Sequence, residues 1–249
     1  MCRMLLYYAM HPETIPYDLL YKFIKSCHWN YFKRYDLVGH HGAGWGFAYL
    51  PINKQRILIK RSLHPNYHCK WQDLTKIKTR LLLIHARKTI FGEKKLENVH
   101  PIDIRGKYAL VHNGTIKMSS FPRLKNNRLQ MIQKNTDLDT RRYLCTILDN
   151  LETLGDIKDA IEATLQTIHT NSAANAFLFN SEECHIIKHQ NTTFNGRHTT
   201  LFIEKTSKNV IISTTPLSVK ALEIPNKSLI SISNSQNKKC HISMNKLYA

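Results

Sequence analysis

The order of strand-like and helix-like segments constrains the fold of this chain more strongly than any single motif does. Helical periodicity occurs in one segment near the start and in two segments in the middle of the chain. The middle two separate a strand-rich first part from a strand-rich last part. The strand-like stretches lie at residues 3–9, 45–50, 55–62, 80–85 and 107–112, and again at 174–180, 185–189, 200–204, 210–214 and 228–233. Strands on both sides of a central helical block predict an α+β fold, with two sheets and helices packed outside them.

Three segments have the spacing of amphipathic helices. In residues 17–27, apolar side chains recur every three or four positions and share one face. A second helix is predicted over residues 138–150, with Asp137 as its N-cap, and a third over 157–168, with Asp156 as its N-cap.

One strand is expected to lie at the centre of a sheet. The run at residues 81–84 is apolar without alternation, which is typical of a strand buried on both faces. The strands at 45–50 and 55–62 are close enough in sequence to pair as a hairpin.

The composition is that of a folded chain. Its 249 residues are 42% hydrophobic, and no apolar run approaches the ~20 residues that span a bilayer. No Pro-, Gly- or Ser-rich linker divides the sequence, and no internal repeat is present. We therefore expect one domain over residues 1–249, in a cytoplasmic protein without membrane association.

The cysteines do not form a metal or disulfide pattern. All six are scattered, and without a Cys-x-x-Cys pair a structural zinc site has no support. A chain of this length needs no disulfide framework. His64, His68 and Cys69 are close enough in sequence to ligate a metal, or else are ordinary loop residues. We expect no metal and no cofactor.

Charge is the strongest compositional bias. Lys and Arg number 36 against 18 Asp and Glu, which gives a formal net charge of +18. This charge predicts attraction to anions, among them nucleic acid, an acidic partner protein and an anionic substrate. The basic residues form neither an Arg-rich tract nor a recognised nucleic-acid motif, so a generally basic surface is favoured over dedicated nucleic-acid binding.

Cys2 has the most distinctive chemistry in the chain. If the initiator methionine is removed, as a small second residue generally permits, Cys2 carries a thiol and a free α-amine together. The amine can then act as the base that activates the thiol for acyl transfer, without a separate histidine. A cysteine near an N-terminus can equally be incidental, so the neighbouring motifs decide between the two interpretations.

Three further segments adjoin predicted strands. Residues 40–46 contain three glycines, which allow close backbone approach to a ligand, but no Lys-Ser/Thr follows as in a phosphate loop. Arg87 emerges from the buried strand and needs an anionic partner, either an internal acid or a ligand carboxylate. Asn113 and Gly114 offer the amide and backbone N–H of an oxyanion hole, and equally form a common turn dipeptide.

In order and approximate spacing, these segments resemble the class II glutamine amidotransferases, which are N-terminal-nucleophile (Ntn) hydrolases. The segments that carry the resemblance are Met1-Cys2-Arg3-Met4-Leu5, Gly44-Trp45-Gly46, His85-Ala86-Arg87, Asn98-Val99-His100-Pro101, His112-Asn113-Gly114, Thr136-Asp137-Leu138-Asp139 and Ile211-Ile212-Ser213-Thr214-Thr215-Pro216-Leu217. They span about residues 2–233, and the ordered set is specific where each motif alone is weak. Because no synthase domain follows in this sequence, the resemblance is greatest to the standalone glutaminase-type members.

The resemblance implies a four-layer αββα sandwich with two mainly antiparallel sheets, and a glutaminase activity. It implies that Cys2 is the nucleophile and that its α-amine is the base. The Asn113 side chain and the Gly114 N–H would hold the oxyanion, where one donor is typically worth roughly 3–4 kcal/mol.

The resemblance also implies how the substrate is held. Arg87 would bind the α-carboxylate of glutamine and Asp137 its α-amino group, which suits a zwitterion with opposite charges to grip. The remaining residues expected at the substrate site are Gly44, Trp45, His85 and His112. The substrate would be glutamine or a related γ-glutamyl amide, and an acidic synthase subunit that receives ammonia would suit the +18 charge.

The chain departs from the family pattern at three positions and in one loop. Ala43 replaces the Asp before Gly-Trp-Gly, Asp139 replaces a Glu, and Thr215 replaces the Glu of Ser-Glu-Pro. Residues 88–91 lack the Trp or small residues that some members place against the substrate. The catalytic set is intact, so we expect activity on glutamine or another γ-glutamyl amide. The alternative is a catalytically silent Ntn-fold module that binds nucleic acid or an acidic partner.

Overall fold

Two antiparallel sheets stack face to face. The computed structural model of the chain describes residues 2–28, 40–52, 54, 56–88, 93–104, 106–193, 197–233 and 241–247. The strands are β1 (Arg3–Glu13), β2 (Trp45–Pro51), β3 (Leu58–Ser62), β4 (Thr79–Ala86), β5 (Ile102–Ile104), β6 (Tyr108–Ile116), β7 (Thr170–Phe179), β8 (Glu183–Lys188), β9 (Phe202–Lys205), β10 (Asn209–Ser213), β11 (Leu222–Glu223), β12 (Ser228–Ser233) and β13 (Ile242–Lys246). Sheet A has the strand order β11-β9-β10-β1-β4-β2-β3, and sheet B has the order β13-β12-β8-β7-β6-β5.

Helices cover the outer faces of both sheets. They are α1 (Tyr17–His28), α2 (Asn127–Lys134), α3 (Asp139–Leu154) and α4 (Ile157–Thr167). Phe23 of α1 packs on Tyr7 and its neighbours in sheet A, whereas Leu144 of α3 packs on Leu178 and its neighbours in sheet B. The layers are therefore helix, sheet A, sheet B, helices, which confirms the expected αββα architecture.

The core between the sheets explains why the central strands are apolar on both faces. Leu6 and Leu83 of sheet A meet Val111, Phe177 and Ile186 of sheet B in one buried cluster. The opposite faces of the same sheet A strands lie under α1, so the 81–84 run is fully buried, as predicted. Each such side chain contributes roughly 1.5–3 kcal/mol by leaving water.

Of the two predicted helix N-caps, one is confirmed and the other is wrong. Asp156 caps α4 by accepting hydrogen bonds from the backbone N–H groups of the first turn, as expected. Asp137 does not cap α3, whose N-cap is Leu138 without a side-chain bond. The Asp139 carboxylate serves instead, because it accepts a bond from the backbone N–H of Thr140 at 2.7 Å and another from Ile116 at 3.0 Å. The start of α3 is thereby tied to the end of β6.

Helix α2 was not predicted, because its sequence is polar and only Leu129 and Gln133 are buried. Its N-cap, Asn126, accepts hydrogen bonds from the backbone N–H groups of Arg128 and Leu129. Within the ranges that the structure describes, no helix has both the length and the apolar character needed to cross a bilayer.

The paired strands agree with the hairpin prediction and extend it. Strands β2 and β3 pair antiparallel from Trp45 opposite Ser62 to Tyr49 opposite Leu58. The sequence did not predict the short strands β5, β11 and β13. Strand β6 runs four residues past its expected end at position 112. Asn113 and Gly114 therefore lie within a strand and not in a turn.

Candidate functional site

Cys2 joins the two sheets at one end of the sandwich. It directly precedes β1, which lies between β10 and β4 near the middle of sheet A. Its backbone nitrogen donates a hydrogen bond of 2.9 Å to Oδ1 of Asn113 in sheet B. Its Sγ lies 3.6 Å from the carbonyl oxygen of Lys88, and the side chain is half-buried. The thiol and the backbone nitrogen of one residue are thus both held at the edge of the inter-sheet core.

Burial raises the pKa of the Cys2 thiol above its usual value, and the positive charges of the N-terminus and of Arg87 oppose that rise. A neutral thiol is a weak nucleophile, so any reaction through Sγ needs a base that removes its proton.

Asn113 and Gly114 face the site for reasons set by strand pairing. Asn113 is fully buried, and its Nδ2 donates to the carbonyl of His198 at 3.3 Å while its Oδ1 holds the Cys2 nitrogen. Gly114 lies opposite Ala174, whose N–H bonds to His189 on the other side of β7. Because paired residues of this kind point their N–H groups away from each other, the Gly114 N–H faces away from β7.

Position 114 also has no room for a side chain. A Cβ there would lie 1.8 Å from the carbonyl oxygen of Ala173 and 2.9 Å from Nε2 of His112. The close approach of the β7 backbone therefore requires glycine at this position, independently of any role for its N–H.

Arg87 is a buried cation at the end of β4. Its backbone exchanges hydrogen bonds with the glycine-rich segment, from Arg87 N to Gly44 O (2.8 Å) and from Ala43 N to Arg87 O (3.1 Å). Its Nη1 donates to the carbonyl of Glu93 at 3.2 Å. None of the carboxylates that the structure describes forms a salt bridge with it. Its positive charge therefore has no ion-pair partner among the described residues.

Asp137 is exposed and lies near the same loop. The pKa of Lys95 is raised chiefly by its ion pair with Glu93, and also by Glu97 and Asp137. Arg87 and Asp137 therefore both adjoin residues 93–97, one through the Glu93 carbonyl and the other through charge. Residues 93–97 thus lie near both side chains, and the grip of the two charges on a zwitterion remains a prediction.

Gly44 and Trp45 adjoin the end of β4 that carries Arg87, through backbone pairing. Gly44 has a φ of +110°, and a Cβ there would lie 2.8 Å from the carbonyl of Ser62. The Trp45 ring packs in the outer layer beside Phe47, and its indole N–H donates to Sγ of Cys69 at 3.2 Å. Any substrate contact at Trp45 would therefore come from its backbone, and that contact remains a prediction.

His85 and His112 belong to a buried histidine cluster that also contains His100. The rings of His85 and His100 lie 4.2 Å apart, and the Thr140 hydroxyl bonds both His100 Nε2 (2.8 Å) and His112 Nδ1 (3.1 Å). Burial lowers the pKa of His85 to about 3 and that of His100 well below its usual value, so both rings are neutral. His112 Nε2 also lies 3.2 Å from the Ala173 carbonyl. The cluster supports the strand that carries Asn113, and direct contact of His85 or His112 with substrate remains a prediction.

Residues outside this cluster were also considered as ligands or as substrate contacts. Among the described residues, no group of three or more His, Cys, Asp or Glu side chains is arranged to hold a metal ion. Cys69 accepts the indole N–H of Trp45, and His68 packs edge-on against Tyr67. Of residues 88–91, whose composition differs from the family pattern, 89–91 lie outside the described residues.

Several residues at the site were not found from sequence. His198 supplies the carbonyl that meets Asn113, and Thr140 joins two histidines of the cluster. Asn175 and Lys188 reach the neighbouring carbonyl of Thr199. No spacing rule connects these positions to Cys2, because strand register brings them together.

The chain is similar in sequence to known proteins over most of its length. A family model for class II glutamine amidotransferases matches residues 22–195. A probable glutamine–fructose-6-phosphate aminotransferase (isomerizing) from Acanthamoeba polyphaga mimivirus is 24% identical over 161 residues, which cover 62% of this chain and 23% of that protein.

Solved structures share the fold. The glutamine phosphoribosylpyrophosphate amidotransferase of B. subtilis superimposes with a TM-score of 0.67 at 16% identity, covering 99% of this chain and 49% of that one. A glutamine aminotransferase class-II domain protein from Silicibacter pomeroyi has a TM-score of 0.62 at 11% identity, with 100% of both chains covered. The chain thus spans about half the B. subtilis enzyme and about a quarter of the viral relative.

Proposed function

Because the chain belongs to the class II glutamine amidotransferases, we propose that it hydrolyses the side-chain amide of glutamine through a thioester on Cys2. The products are glutamate and ammonia. One observation carries this proposal: the backbone nitrogen of Cys2 is held at 2.9 Å by Asn113 Oδ1, beside the thiol that would react. Removal of Met1 turns that nitrogen into a free amine at the position where a base is needed.

The first step forms a bond between Sγ and the side-chain carbonyl carbon of glutamine. One N–H of the Cys2 amine is bonded to Asn113, which leaves the nitrogen lone pair free to take the thiol proton. The carbonyl oxygen becomes an oxyanion, and the second N–H of Asn113 Nδ2 and the N–H of Gly114 are its proposed donors. One such donor is worth roughly 3–4 kcal/mol.

The second step expels ammonia and restores the enzyme. The protonated amine returns its proton to the leaving nitrogen, the C–N bond breaks, and a γ-glutamyl thioester remains on Cys2. Water, activated by the same amine, attacks the thioester carbon and the C–S bond breaks. The thiol regains its proton, so the protons balance without any group beyond Cys2, the oxyanion donors and water.

Substrate is held by charge at its α-carbon end. Arg87 binds the α-carboxylate as a two-pronged donor, and Asp137 binds the α-ammonium group. The support is the buried guanidinium without a described carboxylate partner, together with an exposed carboxylate near the same 93–97 segment. Other γ-glutamyl amides present the same two charges, so they remain candidate substrates with a different leaving amine.

Arg87→Lys is expected to raise the KM for glutamine about tenfold or more, with kcat within about twofold of the wild type. A lysine keeps the charge but cannot form two parallel bonds to one carboxylate, so binding is weakened equally in the ground and transition states. Steady-state ammonia release over a range of glutamine concentrations measures the two constants.

Arg141→Lys is the matched control for this variant. Arg141 Nη2 donates to the Glu97 carbonyl at 2.8 Å, much as Arg87 donates to Glu93, but it lies at the surface. An equal rise in KM in both variants would show that the 93–97 segment, and not a bound carboxylate, is what Arg87 serves.

The function itself is tested on processed protein. Intact mass first establishes the loss of Met1, and ammonia release is then measured on glutamine, asparagine and a panel of γ-glutamyl amides. We expect turnover on glutamine or one γ-glutamyl amide, and covalent labelling of Cys2 by a glutamine-analogue electrophile. A processed protein that neither turns over nor becomes labelled would contradict the proposal.

The net charge of +18 supports an acidic synthase subunit as the receiver of the ammonia. The same charge supports the alternative of a catalytically silent module that binds nucleic acid. Salt dependence separates the two, because neutralised phosphates give a steep linear fall of log affinity with log salt. Labelling of Cys2 together with negligible nucleic-acid affinity at physiological salt would exclude the silent module.

A further inference from the structure

Four polar side chains cross sheet B in a line that includes Asn113. Asn113 of β6 pairs with Asn175 of β7. Lys188 of β8 lies opposite Asn175, between the pair Ala176–Ile187 and the bridge Ala173–Gln190, which share one antiparallel register. Lys188 in turn pairs with Ser228 of β12. Since directly paired residues project to the same face of a sheet, these four side chains form one cross-strand group, here called the polar row.

The polar row faces the interior. Alternation along the strands places it on the same face as Val111, Phe177 and Ile186, which belong to the core between the sheets. Asn113 and Asn175 are fully buried and Lys188 is 2% exposed. The row therefore closes the inter-sheet core at the end where Cys2 lies.

Lys188 is a costly residue to place there. Its Nζ donates to the Thr199 carbonyl at 2.9 Å and to Gln190 Oε1 at 2.8 Å, and both acceptors are uncharged. Within the described ranges it forms no salt bridge, and burial lowers its pKa to about 8, although Glu223 at longer range opposes the shift. A buried ammonium without a close counter-charge destabilises a fold, so its two strong hydrogen bonds need a functional explanation.

The carbonyl that Lys188 holds is linked to Asn113 through its neighbours. The Thr199 carbonyl accepts from Lys188 and also from Asn175 Nδ2. The preceding carbonyl, of His198, accepts from Asn113 Nδ2 at 3.3 Å. The turn Arg197–Thr199 is thus docked on the polar row by two successive carbonyls.

The carbonyl of His198 also selects the orientation of the Asn113 amide. A carbonyl oxygen can only accept, so it requires the NH₂ end of the amide and directs Oδ1 toward the Cys2 nitrogen. If the carbonyl moved away, the amide could rotate by half a turn and present its oxygen to the developing oxyanion. That orientation would remove a donor from the oxyanion and repel it.

We propose that Lys188 is a positioning residue for this site: by holding the Thr199 carbonyl it fixes the His198 carbonyl, and so keeps the Asn113 amide in its productive orientation. Lys188 itself contacts neither the substrate nor the thiol. The catalytic consequence rests on the proposed glutamine hydrolysis, whereas the effect on the turn and on Cys2 does not.

Lys188→Met tests the proposal, because methionine fills a similar volume without a donor. We expect kcat for ammonia release to fall about tenfold or more, since small displacements of a catalytic group have effects of this size or larger. KM should stay within about twofold, because Arg87 and Asp137 are not touched. Lys188→Arg, which keeps a cation and its donors, should restore most of the lost kcat.

Cys184→Ala is the matched control. Cys184 lies on the same strand and the same face, is buried, and packs in the apolar part of the inter-sheet core. Its kcat should remain within about twofold of the wild type despite a cost of roughly 1–3 kcal/mol in stability. Should Lys188→Met not fold, Lys188→Gln is used instead, because its shorter side chain cannot reach the Thr199 carbonyl.

Two further measurements do not depend on turnover. Peptide-level mass spectrometry follows the alkylation of Cys2 by iodoacetamide, and deuterium exchange follows the backbone of residues 197–201. In Lys188→Met we expect alkylation to slow about tenfold and exchange in this segment to accelerate about tenfold. Cys184→Ala should change neither.

Each outcome decides the proposal. Unchanged kcat in Lys188→Met, an equal loss in Cys184→Ala, or failure of Lys188→Arg to recover would overturn it. If the wild type released no ammonia from any substrate, the proposed function would fail on its own. The alkylation and exchange data would then still support the positioning role if they shift, and overturn it if they do not.

Discussion

Replacing Cys2 with alanine is expected to reduce ammonia release by about 10⁵-fold or more, the scale at which loss of a nucleophile acts in covalent hydrolases. Alanine removes Sγ but keeps the backbone nitrogen that bonds to Asn113 at 2.9 Å, so the local geometry survives. The side chain is half-buried and small, and its loss should change the free energy of unfolding by less than about 1 kcal/mol. We therefore expect this variant to lose its activity and to keep nearly the stability of the wild type.

The comparison requires chains with the same N-terminus. Alanine, like cysteine, permits removal of Met1, so intact mass should show both proteins processed. Cys69→Ala is the control, because Cys69 is also a half-buried thiol outside any disulfide, and its Sγ accepts the indole N–H of Trp45. The thioester mechanism would be refuted if Cys2→Ala still released ammonia and was still labelled by the glutamine-analogue electrophile as the wild type is.

The same mechanism predicts that Cys2 with Met1 retained is nearly inert. The Cys2 nitrogen would then be an amide, which has no basic lone pair, and burial keeps the pKa of the thiol raised. A preparation containing both forms should lose turnover in proportion to the retained fraction, as measured by intact mass.

The fold could be read largely from local patterns because most of its elements are amphipathic. Helix α4 has regular apolar spacing and an Asp156 cap, and the 81–84 run, apolar without alternation, is typical of a strand covered on both faces. Helix α2 was not predicted because a largely polar helix lacks the periodic spacing of apolar residues. The N-cap at Asp137 was wrong because Asp139 accepts the backbone N–H of Ile116 at the end of β6, a tertiary bond that local preference does not reveal.

Asn113-Gly114 shows where local chemistry misleads. The dipeptide favours a turn, yet pairing with β7 holds it in a strand, and the reason for the glycine is a carbonyl of Ala173 some sixty positions away. Local sequence preference cannot predict the close approach of a backbone carbonyl from a distant part of the chain.

The candidate site was predictable only in part for the same reason. Cys2, Arg87, Asn113 and Asp137 carry recognisable chemistry and lie in a recognisable order, so they could be proposed without a structure. Lys188 has no such signal: it became visible only through a register that places it one strand away from Asn175 and two from Asn113.

Gly114→Ala is expected to be among the most destabilising single-methyl additions in the chain, at roughly 3 kcal/mol or more. The new Cβ would lie 1.8 Å from the oxygen and 2.5 Å from the carbon of the Ala173 carbonyl, and both are backbone atoms of the paired strand. Relief requires β6 and β7 to separate where Asn113 pairs with Asn175, which also disturbs the His112 bond to Ala173. Urea denaturation of the variant and the wild type measures the loss.

Gly155→Ala separates this clash from the ordinary cost of losing a glycine. Gly155 ends α3 with a φ of +77°, and a Cβ there meets nothing within 4 Å. Its replacement should therefore cost only the left-handed backbone penalty of about 1–2 kcal/mol. Equal losses at the two positions would show that β7 can yield, and the steric argument at Gly114 would fail. A larger loss at Gly114, with activity reduced even in the fraction that remains folded, is expected because the methyl displaces the strand that carries both proposed oxyanion donors.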